Sequence, residues 1–193
     1  VSRADIARIT GLSPSSVTCV VNRMIRDGLL GESPSDAPVQ VGRRPLILRL
    51  QPESLFAVGV EITRSEARIA CAGLDGRICK LRSVPWQQDH QVFLVRVRDA
   101  IRTMAGMLPA GRLLGVGVSL AGTIRRATGY VIAAENLGWF GVEVGQVLSE
   151  GLAAPFYYEN DAKLSALAER WCSQPGSKQL DNFVFLTLRP GLG

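Results

Sequence analysis

Three consecutive polar side chains, Glu159, Asn160 and Asp161, follow an apolar run that ends at Tyr158. The run predicts a strand, and the residues after it predict a helix as far as Trp171, so the polar side chains lie at a strand-to-helix junction. A helix N-terminus favours a carboxylate, and an amide offers both a donor and an acceptor. Such a pair suits the recognition of vicinal hydroxyl groups. The alternative interpretation is that Asn160 or Asp161 only caps the helix.

Two upstream segments are predicted to bring further polar groups to the same place. The buried strand Leu114–Leu120 ends at Gly122 and Thr123, and the strand Tyr130–Ala134 is followed by Glu135 and Asn136. Ligands of open α/β sheets gather at the carboxyl ends of strands. Gly122, Asn136 and Asn160 all fall at such ends, so we expect one ligand-binding site there.

The order of the predicted strands and helices that must position this site indicates an α/β lobe with a mixed sheet. Three strands come first, followed by an alternation of strands and helices. The predicted strands are Leu55–Ile62, Glu66–Leu74, Arg77–Val84 and later Phe183–Leu188, and the predicted helices are 92–108 and Val142–Leu152. His90 is given no role. Trp139 is interpreted as a packing residue in preference to a platform for a sugar ring.

The first fifty residues have the pattern of a DNA-binding unit. A capping box opens a helix from Arg3 to Thr10, and Ser13-Pro14 opens a second helix that ends at Asp27-Gly28. The second helix predicts an inward face made of Val17, Val20, Val21, Met24 and Ile25. Its other face carries the candidate DNA-binding residues Ser15, Ser16, Thr18, Asn22, Arg23 and Arg26. Such a helix-turn-helix inserts its second helix into the major groove.

A strand, a polar loop and a second strand, Leu46–Leu50, follow the second helix and predict a wing. Arg43 and Arg44 in the loop are candidates for contacts with the DNA backbone or a narrow minor groove. The alternative is a small protein-binding module with a solvated basic loop. A helix usually precedes the first helix of such a unit, so the chain is expected to begin inside this domain.

The composition fits a globular protein that contacts a polyanion. The chain has 193 residues, 47% of them hydrophobic, and a formal charge of +5. Of this charge, +3 lies in residues 1–50, which concentrates the excess in the predicted DNA-binding unit. A transmembrane helix and a signal peptide are not predicted. The four cysteines are scattered, which indicates free thiols in a reducing cytoplasm.

The ordered motifs together resemble the ROK family of repressors, open reading frames and sugar kinases. The residues that carry this resemblance are Ser2–Glu32, Gly42-Arg43-Arg44-Pro45, 115–123, Asn136-Leu137-Gly138-Trp139, Glu159-Asn160-Asp161-Ala162 and Ala166-Leu167-Ala168-Glu169. The resemblance implies an actin-like, ribonuclease-H-like ATPase fold with two lobes and a sugar between them. By it, residues 1–50 form the winged helix-turn-helix domain, 51–182 the first lobe, and 183–193 the start of a truncated second lobe.

The resemblance also assigns roles. In family kinases the aspartate of the Glu-Asn-Asp motif is the general base, a position that falls here on Asp161, and the asparagine beside it, here Asn160, binds sugar. The resemblance also implies that the sugar site is lined by Gly122 and Thr123 and by Glu135 and Asn136. Lys163 replaces a small amide residue that is usual after this motif. The family's structural zinc site, a His with a cysteine cluster, would lie beyond residue 193, so the four cysteines of this chain are not its expected ligands.

The expected nucleotide side departs from the family pattern at two loops. Where family kinases have Asp-x-Gly-Gly-Thr, this chain has Glu61-Ile62-Thr63-Arg64-Ser65, without either glycine. Where they have Gly-Thr-Gly-Ile-Gly, it has Arg189-Pro190-Gly191-Leu192-Gly193. Proline removes an N–H donor, and side chains occupy space where glycine admits a phosphate. Phosphoryl transfer is therefore not expected, and no cofactor is predicted.

The sequence predicts a cytoplasmic transcriptional regulator of carbohydrate uptake or catabolism, preferably a repressor. Its partners would be operator DNA, a sugar or phosphosugar effector, and further copies of itself in a homodimer or homotetramer. Two alternatives stay open: an active sugar kinase with a DNA-binding head, and a regulator controlled by a protein partner.

Overall fold

The computed structural model describes residues 1–34, 46–172, 182–189 and 191–192 of the chain. Its contacts divide the chain into two compact units. The first comprises Val1–Phe56 with Ala72–Arg77, and the second comprises Ala57–Cys71 with Ile78–Gly193. Arg43 and Arg44 of the predicted wing lie outside the described residues, as does Pro190 of the second loop.

The first unit contains two helices and a two-stranded sheet. Helix α1 (Arg3–Thr10) begins at a capping box between Ser2 and Asp5, and helix α2 (Pro14–Arg26) begins at the N-cap Ser13. The antiparallel strands β1 (Leu30–Pro34) and β2 (Leu46–Leu50) follow. The small core consists of Val17, Val21 and Leu48, with Ile6, Ala7, Ile25 and Leu30 packed against it.

The central sheet of the second unit has five strands in the order β10-β6-β3-β4-β5. These are β3 (Phe56–Ile62), β4 (Glu66–Gly73), β5 (Ile78–Pro85), β6 (Leu113–Leu120) and β10 (Phe156–Asn160). Three residues join β3 to β4 and four join β4 to β5, and connections this short require antiparallel neighbours. Strand β10, in contrast, pairs parallel with β6. The predicted mixed sheet is thus confirmed.

The second unit also contains helices, a three-stranded sheet and two short strands among its described residues. They are helices α3 (His90–Gly106), α4 (Val144–Ser149) and α5 (Asp161–Cys172), and a three-stranded sheet of β7 (Thr123–Arg125), β8 (Tyr130–Ala134) and β9 (Trp139–Glu143). Two short strands, β11 (Leu188–Arg189) and β12 (Gly191–Leu192), come last. The buried face of α3 carries Phe93, Leu94, Val97, Ile101 and Met104, as the helical spacing predicts.

Three predictions about these elements are wrong. Val142 and Glu143 extend β9 instead of opening the helix, because Val142 pairs with Val131 of β8. Residues 183–187 form no strand, since the described residues offer them no partner strand. In α2, Val20 and Met24 are 49% and 40% exposed, because the described core packs only against the side of the helix that carries Val17 and Val21.

No helix in the described ranges is both long and apolar enough to cross a membrane.

Candidate functional site

The carboxyl ends of β6 and β10 lie side by side, as the sequence predicts. The parallel register pairs Leu120, the last residue of β6, with Asn160, the last residue of β10. Beyond the ladder, Asn160 Nδ2 donates a hydrogen bond to the carbonyl oxygen of Gly122 at 3.2 Å. The pairing brings the first two candidate segments into contact.

Asn160 also caps helix α5. Its Oδ1 accepts hydrogen bonds from Ala162 N at 3.0 Å and from Lys163 N at 3.3 Å. These bonds satisfy N–H groups that the first turn of a helix leaves without an intrahelical partner. The capping interpretation is therefore correct for Asn160, although the amide bridges two segments at the same time.

Asp161 is the first residue of α5 and is half-buried. Its Oδ1 accepts a hydrogen bond from Ala162 N at 2.9 Å, and within the described ranges its carboxylate forms no ion pair. A carboxylate held at a helix N-terminus is electrostatically favoured. It is placed to accept a hydrogen bond from a ligand hydroxyl group.

Gly122 is tightly enclosed, and its backbone is suited only to glycine. Its φ is +136°, and an added Cβ would lie 2.4 Å from the carbonyl oxygen of Ala133 and 2.9 Å from Ala134 Cα. The next residues after Ala134 form a 3-10 turn that contains Glu135 and Asn136, both exposed. Gly122 therefore connects the β6 end to the turn that carries two further candidates, and Thr123 is exposed at the start of β7.

Trp139 packs in the core and is 3% exposed, so the packing interpretation is confirmed. Its ring stacks on Trp86 with centroids 5.5 Å apart and also lies near Phe93. His90 is the first residue of α3, and its ring centroid lies 6.3 Å from that of Trp139. This aromatic cluster anchors β9, and with it the turn that carries Glu135 and Asn136.

A buried tyrosine, Tyr158, packs against the segments that carry Gly129 and Gly145. Tyr158 in β10 is 6% exposed, and its hydroxyl donates to the carbonyl oxygen of Gly145 at 3.4 Å. Burial raises the pKa of Tyr158 to about 12, because the phenolate would lose its hydration. The ring lies so close to Gly129 that a side chain there would collide with it.

Sequence reasoning missed an ion pair at this end of β10. Glu159 accepts a hydrogen bond from Asn160 N at 2.9 Å, and its other carboxylate oxygen pairs with Arg126 from the turn between β7 and β8. The Glu159 side chain is 19% exposed and that of Arg126 is 64% exposed. The sequence gives no signal for this pair, because 33 residues separate the partners and their contact depends on β7 folding towards β10.

The turn between β3 and β4, where the sequence predicts the first altered phosphate loop, is closed on itself. Thr63 Oγ1 accepts from Glu66 N at 3.2 Å and from Ser65 N at 3.4 Å, and it donates to Glu66 O at 2.8 Å. Glu61 is paired with Arg68 at 2.6 Å. Two backbone N–H groups of this turn are thus bound by a side chain of the same turn.

The predicted DNA-facing residues of α2 lie on its exposed side. Ser15, Ser16, Thr18, Asn22, Arg23 and Arg26 are all exposed. The Ser13 hydroxyl lies 2.8 Å from Ser15 Oγ and 2.9 Å from Ser16 Oγ, so the N-cap organises the first turn. Arg23 makes a long, exposed contact of 3.9 Å with Asp27. An exposed pair of this kind costs little to rearrange.

The sequence model described as the ROK family matches residues 57–193, which is most of the chain and includes every candidate sugar-site residue. The chain belongs to the ROK family. The xylose repressor of Caldicellulosiruptor bescii is 24% identical over 198 residues, which cover 100% of this chain and 49% of the repressor. The chain thus spans about half the length of the curated relatives that it matches.

Two solved ROK structures have the same fold. A ROK family transcriptional regulator, a homolog of the E. coli MLC protein, aligns with a TM-score of 0.65 and 21% identity over 89% of this chain and 44% of that one. A Streptomyces griseus ROK glucokinase in complex with glucose and AMPPNP aligns with a TM-score of 0.52 and 20% identity over 59% of this chain and 36% of the glucokinase. These likenesses establish the α/β ROK sugar-kinase fold.

The zinc implied by the family has no ligand set in the described ranges. There, no three His, Cys, Asp or Glu side chains cluster with the geometry of a metal site. Of the cysteines, Cys19 and Cys79 are exposed free thiols, and Cys71 is buried. Burial, together with the neighbouring Cys79, raises the pKa of the Cys71 thiol to about 11, which makes it a poor ligand and nucleophile at neutral pH.

Proposed function

We propose that this ROK protein is a DNA-binding transcriptional repressor of genes for carbohydrate uptake or catabolism, with a sugar or phosphosugar as effector. The observation that carries the proposal is the contrast between two turns of the same lobe. The segments with Gly122, Asn136 and Asn160 leave polar groups at one end of the sheet, whereas the turn at Thr63 has closed on itself. The lobe keeps a place for a sugar and loses a place for a nucleotide phosphate.

In this proposal each sugar-site residue has a distinct task. Asp161 accepts a hydrogen bond from a sugar hydroxyl, at the position of the kinase general base. Asn160 and Gly122 fix the floor of the site through their mutual hydrogen bond. Glu135, Asn136 and Thr123 are exposed and contribute polar groups from the β7–β9 sheet. The name of the Caldicellulosiruptor relative makes D-xylose the first sugar to test.

The DNA-binding part of the proposal rests on the first unit. We assign residues 1–50 to a winged helix-turn-helix domain in which α2 enters the major groove. Ser15, Ser16, Thr18, Asn22 and Arg23 then face bases or phosphates, and Arg26, Arg43 and Arg44 mainly neutralise phosphates. The affinity for operator DNA should therefore fall steeply with salt. The effector acts by binding two arrangements of a dimer or tetramer with different affinity.

The test is a calorimetric titration of the full-length protein with D-xylose, D-glucose and N-acetylglucosamine, and with their phosphates, each with and without ATP. Heat from one sugar and none from ATP would support a sensor without kinase activity. DNA selected by the protein from a random pool then serves as operator. We expect Asp161→Asn to weaken sugar-induced release by at least about tenfold, as expected for loss of a charged hydrogen bond of 1.5–3 kcal/mol, while affinity for DNA without sugar is unchanged. Equal loss of both activities would contradict the proposal.

The similarity to the glucokinase structure favours one alternative, an active sugar kinase with a DNA-binding head. It predicts sugar-dependent hydrolysis of ATP by the full-length protein, which a coupled assay measures directly. Silence across the whole sugar panel would instead favour the other alternative, a regulator controlled by a protein partner.

A further inference from the structure

We propose that the ion pair between Arg126 and Glu159 positions the effector site, although neither residue is assigned to bind the sugar. The inference rests on the proposed function and deepens it. Arg126 lies in the turn between β7 and β8, and Glu159 lies next to Asn160 in β10. Their contact holds the segment that starts at Gly122 against the end of β10.

The geometry makes this pair a second side-chain link between two segments whose strands β6 and β10 are already paired. The first link is the hydrogen bond of 3.2 Å from Asn160 Nδ2 to Gly122 O. The second joins Arg126, four residues after Gly122, to Glu159, one residue before Asn160. The ladder ends at Leu120 and Asn160, so beyond it the two side-chain links hold the turn after β6 against β10 at two separate points. The pair should therefore keep Gly122 and Thr123 in place before a sugar arrives.

Burial and charge explain why the partner must be a cation. The Glu159 side chain is only 19% exposed and already accepts a bond from Asn160 N at 2.9 Å. Asp161 places a second carboxylate two residues further along the chain. Without Arg126, Glu159 would be a partly desolvated carboxylate that has lost the cation paired with it. It would rotate towards water and release Asn160 N, which disturbs the floor of the site.

An ion pair of this exposure should contribute little to global stability. Arg126 is 64% exposed, and exposed pairs are screened by water and salt. Its effect should instead appear in affinity, because a site held in its bound conformation loses less conformational freedom on binding. A loss of sugar affinity without a loss of stability therefore distinguishes a positioning role from a merely structural one.

The experiment measures the dissociation constant of the full-length protein for D-xylose, D-glucose and N-acetylglucosamine 6-phosphate by calorimetry. The variants are Arg126→Ala and Glu159→Gln, with Arg126→Lys as the conservative change. Arg125→Ala is the matched control, because Arg125 lies on the same hairpin but sits 5.3 Å over the Tyr130 ring. We expect the first two to weaken binding by about fivefold to tenfold. Lysine and the control should stay within about twofold, and all unfolding midpoints should agree within about 2 °C.

Several outcomes would overturn the inference. Wild-type affinity in Arg126→Ala, or an equal loss in Arg125→Ala, would overturn it while the proposed function stands. If Arg126→Ala lowers the unfolding midpoint as well, the charge-swapped variant with Arg126→Glu and Glu159→Arg decides. Restored affinity in that variant supports the pair, and no restoration overturns it. A wild-type protein that binds none of the sugars would instead refute the proposed function itself.

Discussion

Two turns at the ends of buried strands use their polar groups in opposite ways. After β6, Gly122 offers a carbonyl oxygen to a different segment, and Asn160 links it to the start of α5. After β3, the Thr63 hydroxyl binds the N–H groups of its own turn. The first, which we call the open turn, is held by a tertiary hydrogen bond, whereas the second, the closed turn, is satisfied locally. One lobe therefore contains one turn that is bonded to a distant segment and one that is bonded to itself.

The chemistry of one side chain explains the difference. Glycine at a phosphate loop leaves its backbone N–H groups free to face an anion. Thr63 supplies a hydroxyl that competes for the N–H groups of its own turn, as Ser and Thr do in local turns. After β6, in contrast, Ala121 and Gly122 carry no side-chain hydroxyl or carboxylate.

The largest expected effect comes from Gly122→Ala, which would break the open turn. The new Cβ would lie 2.4 Å from Ala133 O, at a φ of +136° that only glycine adopts readily. Strain and collision together should cost roughly 2–5 kcal/mol of unfolding free energy, measured by urea denaturation. Gly59→Ala in β3 is the matched control, because its Cβ would meet nothing within 4 Å. Equal stability of the two variants would show that Gly122 is not enclosed.

A smaller effect is expected from Thr63→Val, which tests the closed turn. Valine keeps the shape of threonine but leaves Ser65 N and Glu66 N without their acceptor. The free energy of unfolding should fall by about 1–2 kcal/mol. Thr63→Ser keeps the hydroxyl and should stay within about 0.5 kcal/mol of the wild type. ATP should give no heat with the wild-type protein. Clear binding of ATP would contradict the proposal that the turn at Thr63 has lost a place for a nucleotide phosphate.

The smallest effect at neutral pH is expected from Tyr158→Phe, which tests the buried hydroxyl that bonds to Gly145. Burial raises the folded-state pKa of Tyr158 from 10.0 to about 12. Its contribution to stability is therefore complete below about pH 10 and is lost as the pH rises towards 12. Phenylalanine should remove this part of the pH dependence. Tyr157→Phe, at a position 65% exposed, is the control and should leave the pH dependence unchanged.

Much of the fold follows from local pattern. The capping box of α1, the N-cap of α2, the apolar spacing of α3 and the alternation in β3 and β4 are set by neighbouring residues, so local sequence patterns reveal them. Prediction failed where contacts with another segment determine the structure of a residue. Val142 joins β9 because Val131 pairs with it, and Val20 and Met24 have a helical spacing that does not tell which side of α2 is covered.

The sequence by itself determined the types and order of the polar groups at the candidate site, and it indicated the ROK family before any coordinates. It also placed Gly122 and Asn160 at strand ends, because strand ends are local features. Only the tertiary structure decided that these residues bond to each other and that Arg126 meets Glu159. Such contacts depend on strand register and turn direction, which segments far apart in the chain set together through their packing.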